Sequence, residues 1–196
     1  MGHSQAEKKK THDRIVEIAA KRLRERGLEG VGVADLMKEA GLTVGGFYKH
    51  FASRDDLVAE AMQSAFGSWA EKLEASGLKP SELTPEEVVS RYMGTYHRDH
   101  PGEGCPFPAL TADFARSGAK PREVATRQLL ENFSFLEQVF PGRDEKDIRR
   151  KSVAAFCLMT GAVGLARVAD DEALSDEILQ TARDFVIELA KPSADK

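Results

Sequence analysis

The sequence predicts an all-α fold, on three observations. Apolar residues recur at three- and four-residue spacing along most of the chain, capping signatures and Gly or Pro stops bracket those stretches, and convincing strand alternation is absent. At 196 residues, 41% hydrophobic and 31% charged, the chain is long enough for a small domain joined to a larger one.

From Thr11 to Arg26, the apolar stripe of Ile15, Ile18, Ala19, Ala20 and Leu23 predicts a first helix stopped by Gly27. A short second helix is predicted over about 33–40 and ends at Gly41, and a third covers about 44–50. Ser53, with Asp56 at the capping-box position, starts a fourth that reaches about residue 75. The stretch SGLKPSEL reads as a loop. Thr84-Pro85-Glu86-Glu87 is a strong helix start, with a capping hydroxyl, proline at the first position and Glu at the third; this helix is expected to run to about Asp99. After the break HPGEGCP come helices over about 107–115, 121–140, 144–168 and 175–190, about nine in all. No internal repeat or low-complexity tract interrupts them.

Charge is uneven along this frame. Residues 1–54 hold eleven Lys/Arg against seven Asp/Glu, and the remainder seventeen against twenty-five, so a basic quarter precedes an acidic body. That asymmetry fits a first domain that meets a polyanion. Two cysteines lie 52 positions apart and no apolar leader opens the sequence, so a disulfide framework is not expected and a reducing cytoplasm is. No uninterrupted apolar run approaches the ~20 residues of a membrane span, and no membrane partner is expected.

The second and third helices are joined by Gly41-Leu42-Thr43, a helix-turn-helix by length and turn chemistry, with the first helix supporting both. In GLTVGGFYKHF, Thr43 is placed as N-cap, Gly45 and Gly46 remove bulk where the backbone approaches a surface, and Phe47 and Phe51 turn inward. Tyr48 and Lys49 suit phosphate oxygens, and His50 suits a phosphate or a base edge. Lys8, Lys9 and Lys10 read as a solvated tail able to reach a nearby groove.

Residues 11–58, and AGLTVGGFYKHFASRDDL above all, resemble the N-terminal DNA-binding domain of the TetR family of transcriptional repressors. By that resemblance Thr43 matches a turn serine, Tyr48 a phosphate-contacting tyrosine, His50 the family histidine and Arg54 the lysine at the head of the fourth helix. Val44 and Gly46 stand where Lys and Ser or Thr are common, so base contacts there are weaker or apolar. The resemblance implies a DNA-binding domain over 1–54 and a ligand-binding and dimerisation domain over 55–196. The chain is then a homodimer that binds a palindromic double-stranded operator and is released by a small apolar or amphipathic effector. DNA contacts are assigned to Thr43, Val44, Gly45, Gly46, Tyr48, Lys49, His50 and Arg54.

Helices at about 144–168 and 175–190 carry the dimer signal, assigned to Phe156, Gly161, Gly164, Val168, Ile178 and Phe185. The aromatic and Met surface of Phe66, Trp69, Tyr92, Met93, Tyr96, Phe107, Phe114, Phe133 and Met159 is assigned to an apolar effector site. Cys105, in GEGCPFP at a helix start with His97 and His100 nearby in sequence, is the candidate redox or electrophile sensor, with a packing role as the alternative; Cys157 reads as core. His97, His100 and Cys105 offer no fourth metal ligand, so no metal is expected, and no cofactor fingerprint is present. Two rival readings are a thiol enzyme built on Cys105, for which no oxyanion motif is found, and a DNA-binding protein without an effector.

Overall fold

The computed structural model describes residues 5–75, 77 and 79–191, and the side chains of all of these but 68–75. Among them there is no strand. The α-helices are α1 (Gln5–Arg26), α2 (Val33–Glu39), α3 (Arg54–Ala75), α4 (Pro85–Tyr92), α5 (Thr95–Asp99), α6 (Phe107–Arg116), α7 (Ala119–Val139), α8 (Glu145–Val168) and α9 (Glu172–Ala190). Short 3-10 helices lie at Leu28–Gly30, Val44–Lys49, Pro80–Glu82 and Pro101–Glu103. Residues 76 and 78 of the expected loop lie outside the described residues.

By internal contacts the chain divides into two compact units. The first is Met1–Trp69 with Pro101–Ala125, the second Ala70–His100 with Thr126–Lys196. The boundary expected from sequence, between 54 and 55, falls inside the first unit at the head of α3.

In the first unit, Ile15, Ala19 and Leu23 of α1 are buried with Leu36 and Met37 of α2 and Leu57, Ala61 and Met62 of α3. Periodicity places these side chains on one stripe of each helix, and burying that stripe is what stabilises helices as short as α2. Ser53 caps α3 as expected: the Asp56 amide donates to Ser53 Oγ at 3.1 Å, and the Ser53 hydroxyl donates to the Asp56 carboxylate at 2.8 Å. The α1 helix begins earlier than the pattern indicated. Lys8, Lys9 and Lys10 belong to its first turns instead of a tail, and Lys9 pairs with Asp13 one turn on at 2.7 Å.

In the second unit, Thr84 and Glu87 form the expected capping box, with the Thr84 amide donating to Glu87 at 2.8 Å and the Glu87 amide to the Thr84 hydroxyl at 3.2 Å. The single helix expected over 84–99 is two. Gly94 adopts an extended backbone and caps α5, where a Cβ would come within 3.0 Å of the Ser90 carbonyl. Carbonyls freed at that break and at the C-terminal end of α5 are taken by arginines from α8 and α9. Arg167 donates to the His97 and Arg98 carbonyls at 2.6 and 3.0 Å, and Arg183 to the Met93 carbonyl at 2.8 Å. Arg98 in turn bridges to Asp176 at 2.6 Å and Ser175 at 3.1 Å. The α8 helix is long and apolar enough, by length and composition, to cross a membrane. Its Ala155, Met159, Ala162, Val163 and Ala166 build the core of this unit, packed along α9.

Candidate nucleic-acid interface

The turn that presents the interface is set by Gly41. Its φ of +69° is the left-handed conformation that glycine adopts without penalty, and it lets the Leu42 amide reach the Met37 carbonyl at 2.8 Å and the Gly41 amide the Lys38 carbonyl at 3.0 Å. This double closure ends α2 and aims the chain into Val44–Lys49. That segment is 3-10 rather than the expected α-helix, with the Gly46 amide on the Thr43 carbonyl and the His50 amide on the Phe47 carbonyl, both at 2.9 Å. Two adjacent glycines give it little intrinsic helix propensity, so the tighter turn is fixed by packing. Phe47 and Phe51 are buried with ring centres 5.4 Å apart, and pin its inner side.

What remains outward is a short row of assigned contacts. Tyr48 is 77% exposed and Val44 52%, with Thr43, Gly45 and Lys49 also exposed. Thr43 occupies the N-cap position in extended conformation, yet its hydroxyl makes no cap hydrogen bond. At Gly45 an added Cβ would meet nothing within 4 Å, whereas at Gly46 it would touch Met37 Cε at 3.6 Å. Gly46 therefore faces α2, and the sequence expectation of two glycines opening the same surface is corrected to one.

Arg54 also has a role within the scaffold. Its Nε and one Nη donate to the Val31 and Leu28 carbonyls, which ties the α1–α2 connection to the head of α3. The guanidinium is engaged by its own scaffold, sharing the Leu28 carbonyl with the Val31 amide that closes the Leu28–Gly30 turn. His50 is half-buried, its ring centre 6.0 Å from that of His12, and its Nδ1 has no hydrogen-bond partner among the described residues. Burial first, and then the charges of His12, Lys8 and Lys49, push its pKa below the ordinary histidine value.

One contributor, His12, escaped the sequence reading. His12 stacks on Phe51 at 4.6 Å and meets Glu60 at 2.6 Å, joining α1 to α3 and to the residue pair that follows the Val44–Lys49 segment. Lys8, on the first turns of α1, is among the charges that lower the His50 pKa. A sequence signal existed only for the lysines.

The effector residues fall into two groups. Phe66, Phe107 and Phe114 form a buried cluster in the first unit, with ring centres 5.1 to 6.0 Å apart. Met93 and Met159 are buried in the second unit, where Tyr92 and Phe133 pack on Phe156 at 6.4 and 5.7 Å. Tyr96 is corrected: it is 62% exposed and stacks on its neighbour His100 at 4.1 Å, because the five-residue α5 turns it to the surface. The Trp69 side chain lies outside the described residues.

Of the residues assigned to dimerisation, Gly161, Val168 and Phe185 are exposed and Gly164 and Ile178 half-buried. Between them α8 and α9 frame an open groove of about 880 Å³, lined among others by Leu158, Gly161, Leu165, Ile178 and Phe185. Phe156 is corrected: it points into the core against Phe133 and Tyr92, on the side of α8 opposite the groove. Cys157, expected in the core, is exposed and lines that groove. Cys105 is half-buried immediately before Pro106 and α6.

Residues 15–61 match the family model of bacterial regulatory proteins of the tetR family. The HTH-type transcriptional repressor DhaR of Mycobacterium sp. strain GP1 is 25% identical over 141 residues, 69% of each chain. KstR2 of Rhodococcus jostii, also an HTH-type transcriptional repressor, is 36% identical over 80 residues, 39% of this chain and 38% of that one. Among solved structures, a TetR-family regulator from Cytophaga hutchinsonii superposes with a TM-score of 0.75 at 22% identity, covering 95% of this chain and 98% of that one. E. coli NemR in its reduced form superposes at 0.73 with 19% identity, over 94% and 100%. A short exposed row on a helix-turn-helix and the match across α1 to α3 converge: residues 15–61 carry a DNA-binding domain of the tetR-family type, and the chain shares the all-helical fold of solved TetR-family regulators.

Proposed function

We propose that this protein is a transcriptional repressor that binds a palindromic operator as a homodimer and is released by a small apolar or amphipathic effector. The observation that carries the reading is the exposed row Thr43, Val44, Gly45, Tyr48 and Lys49, held on a buried Phe47–Phe51 anchor. Tyr48 and Lys49 serve as phosphate contacts and Arg54 as the residue that holds the scaffold in register. The α8–α9 groove is the self-association surface, consistent with its apolar lining. The two aromatic clusters are where an effector inserts. It lowers operator affinity by the ratio of its affinities for the DNA-competent and DNA-incompetent arrangements.

The test is a salt titration of operator binding. Lys49→Ala should weaken binding to all sequences and lower the slope of log K against log salt by about one. An unchanged slope and affinity would remove Lys49 from the interface.

One observation favours a second reading, in which Cys105 is the sensing residue. Arg24, its pKa lowered mainly by burial, is partly restored by charges on Cys105, Glu103 and Glu25, so a thiolate at Cys105 would lie in the field of a guanidinium. Alkylation of Cys105 in a Cys157→Ser background should then reduce operator affinity. The Cys157→Ser background is needed because Cys157 is itself exposed in the single chain. Modification with no change in affinity leaves the apolar site as the effector site.

A further inference from the structure

We infer that Val44 is the direct sequence reader of this interface and that what it reads is the C5-methyl group of a thymine in the major groove. The inference rests on the DNA-binding reading above and names the chemistry of the same site. Among the described residues of the first unit, the large apolar side chains left exposed are Val44 and Tyr48, both within the six residues of Val44–Lys49. A tyrosine carries a hydroxyl that suits phosphate. A valine carries only methyl groups.

The neighbours of Val44 narrow its role. Gly45 offers no side chain, and the space where its Cβ would stand is open, so the backbone approaches a groove wall without an intervening group. Gly46 is turned toward Met37 of α2. Thr43 presents a hydroxyl that makes no cap bond, and a lone hydroxyl pairs with the edge of any base. The segment Val44–Lys49 contains no Arg, Asn, Gln, Asp or Glu, and its one cation, Lys49, is assigned above to phosphate, so the bidentate pairings that distinguish guanine, adenine and cytosine are left without another side chain there. The one apolar group that a major-groove base edge displays is the thymine methyl. A half-exposed valine at the leading end of the segment is complementary to that group alone, and contact removes both from water. Each half-site therefore holds a thymine at one fixed position, with the rest of the preference coming from duplex shape and Thr43.

The experiment replaces thymine by uracil, which deletes that methyl and nothing else. A preferred duplex is first enriched from a randomised pool with the full-length protein. It is then resynthesised with each dT in turn exchanged for dU. Affinity should fall about four-fold per half-site at one position, the factor associated with burying a single methyl group, and stay level elsewhere. Val44→Ala should bind the unmodified duplex correspondingly more weakly and be indifferent to dU at that position. Its thermal midpoint should match the parent, since the side chain is exposed. Insensitivity to dU at every position, or an undiminished dU penalty in Val44→Ala, overturns the assignment. A pool from which no sequence enriches overturns the DNA-binding reading, and this inference with it, before any methyl is tested.

Discussion

Two surfaces among the described residues each gather two or more exposed large apolar side chains, and they do so differently. On Val44–Lys49 there are two such side chains, Val44 and Tyr48, alongside Gly45, Thr43 and a lysine. On α8 and α9 there are Leu158, Leu165, Val168, Leu174 and Phe185, the last three 48 to 80% exposed, around a groove of about 880 Å³. The first is narrow, hydroxyl-bearing and cationic; the second is broad and almost wholly apolar. A polyanion is held by charge and a few shaped contacts, whereas a protein surface needs contiguous apolar area. Exposure alone therefore does not identify a partner; the neighbours of the exposed side chain do.

The largest expected effect comes from filling the broad face. A Cβ at Gly161 would meet nothing within 4 Å, so Gly161→Leu leaves the single chain folded. Overpacking costs typically 1–3 kcal/mol at a close contact, and a two-fold axis repeats it, so self-association should weaken on the order of 100-fold. Sedimentation equilibrium reads this directly. Unchanged association would mean that the broad face has another occupant and that the contrast drawn above is misassigned.

A smaller effect is expected at the support of the narrow face. Arg54→Ala removes two hydrogen bonds from a charged donor to the Val31 and Leu28 carbonyls. Such bonds are worth roughly 1.5–3 kcal/mol, and the exposed position argues for the lower end. The thermal midpoint should fall while the association constant holds, and Arg54→Lys should restore little, because an ammonium cannot span both acceptors. Lost operator affinity at an unchanged midpoint would instead return Arg54 to the DNA contacts.

The mildest effect is a pH dependence shared by both units. His97 is held below the ordinary histidine range, chiefly by burial, with the Tyr92 carbonyl opposing and Arg167 reinforcing the shift. His50 is lowered as well, also chiefly by burial. For both, the unfolded chain binds the proton more readily. Their contribution to stability is therefore complete above about pH 6.5 and is lost as pH falls toward the folded value. Hydrogen exchange followed from pH 7.5 to 5.5 should show protection declining in each unit, by no more than one proton per histidine. His50→Asn should flatten the decline in the first unit only, and His97→Asn in the second only. A decline that neither variant alters would place the titration elsewhere.

The features legible in the sequence are those whose causes are local. The caps Ser53–Asp56 and Thr84–Glu87, the stop at Gly41 and the inward Phe47 and Phe51 each follow from residue type and spacing within a turn or two, and each is present in the structure. The same locality made the motif AGLTVGGFYKHFASRDDL readable, and with it the DNA-binding domain type. Misread features depend on partners far along the chain. Arg54 donates to carbonyls 23 and 26 residues earlier, and Arg183 reaches a carbonyl 90 residues away. Phe156 and Cys157 are adjacent on an apolar helix, and periodicity gives that helix two apolar sides without saying which one its own unit covers. Only the packing of Tyr92 and Phe133 decided that Phe156 is inside and Cys157 faces the groove. Sequence alone determined the all-helical class, the caps at Ser53 and Thr84, the stop at Gly41 and the identity of the presenting motif, because hydrogen bonds within a turn and apolar periodicity act over a few residues. Tertiary structure alone decided which charged and apolar side chains remain outward, because that depends on which distant backbone groups and helix faces need to be covered.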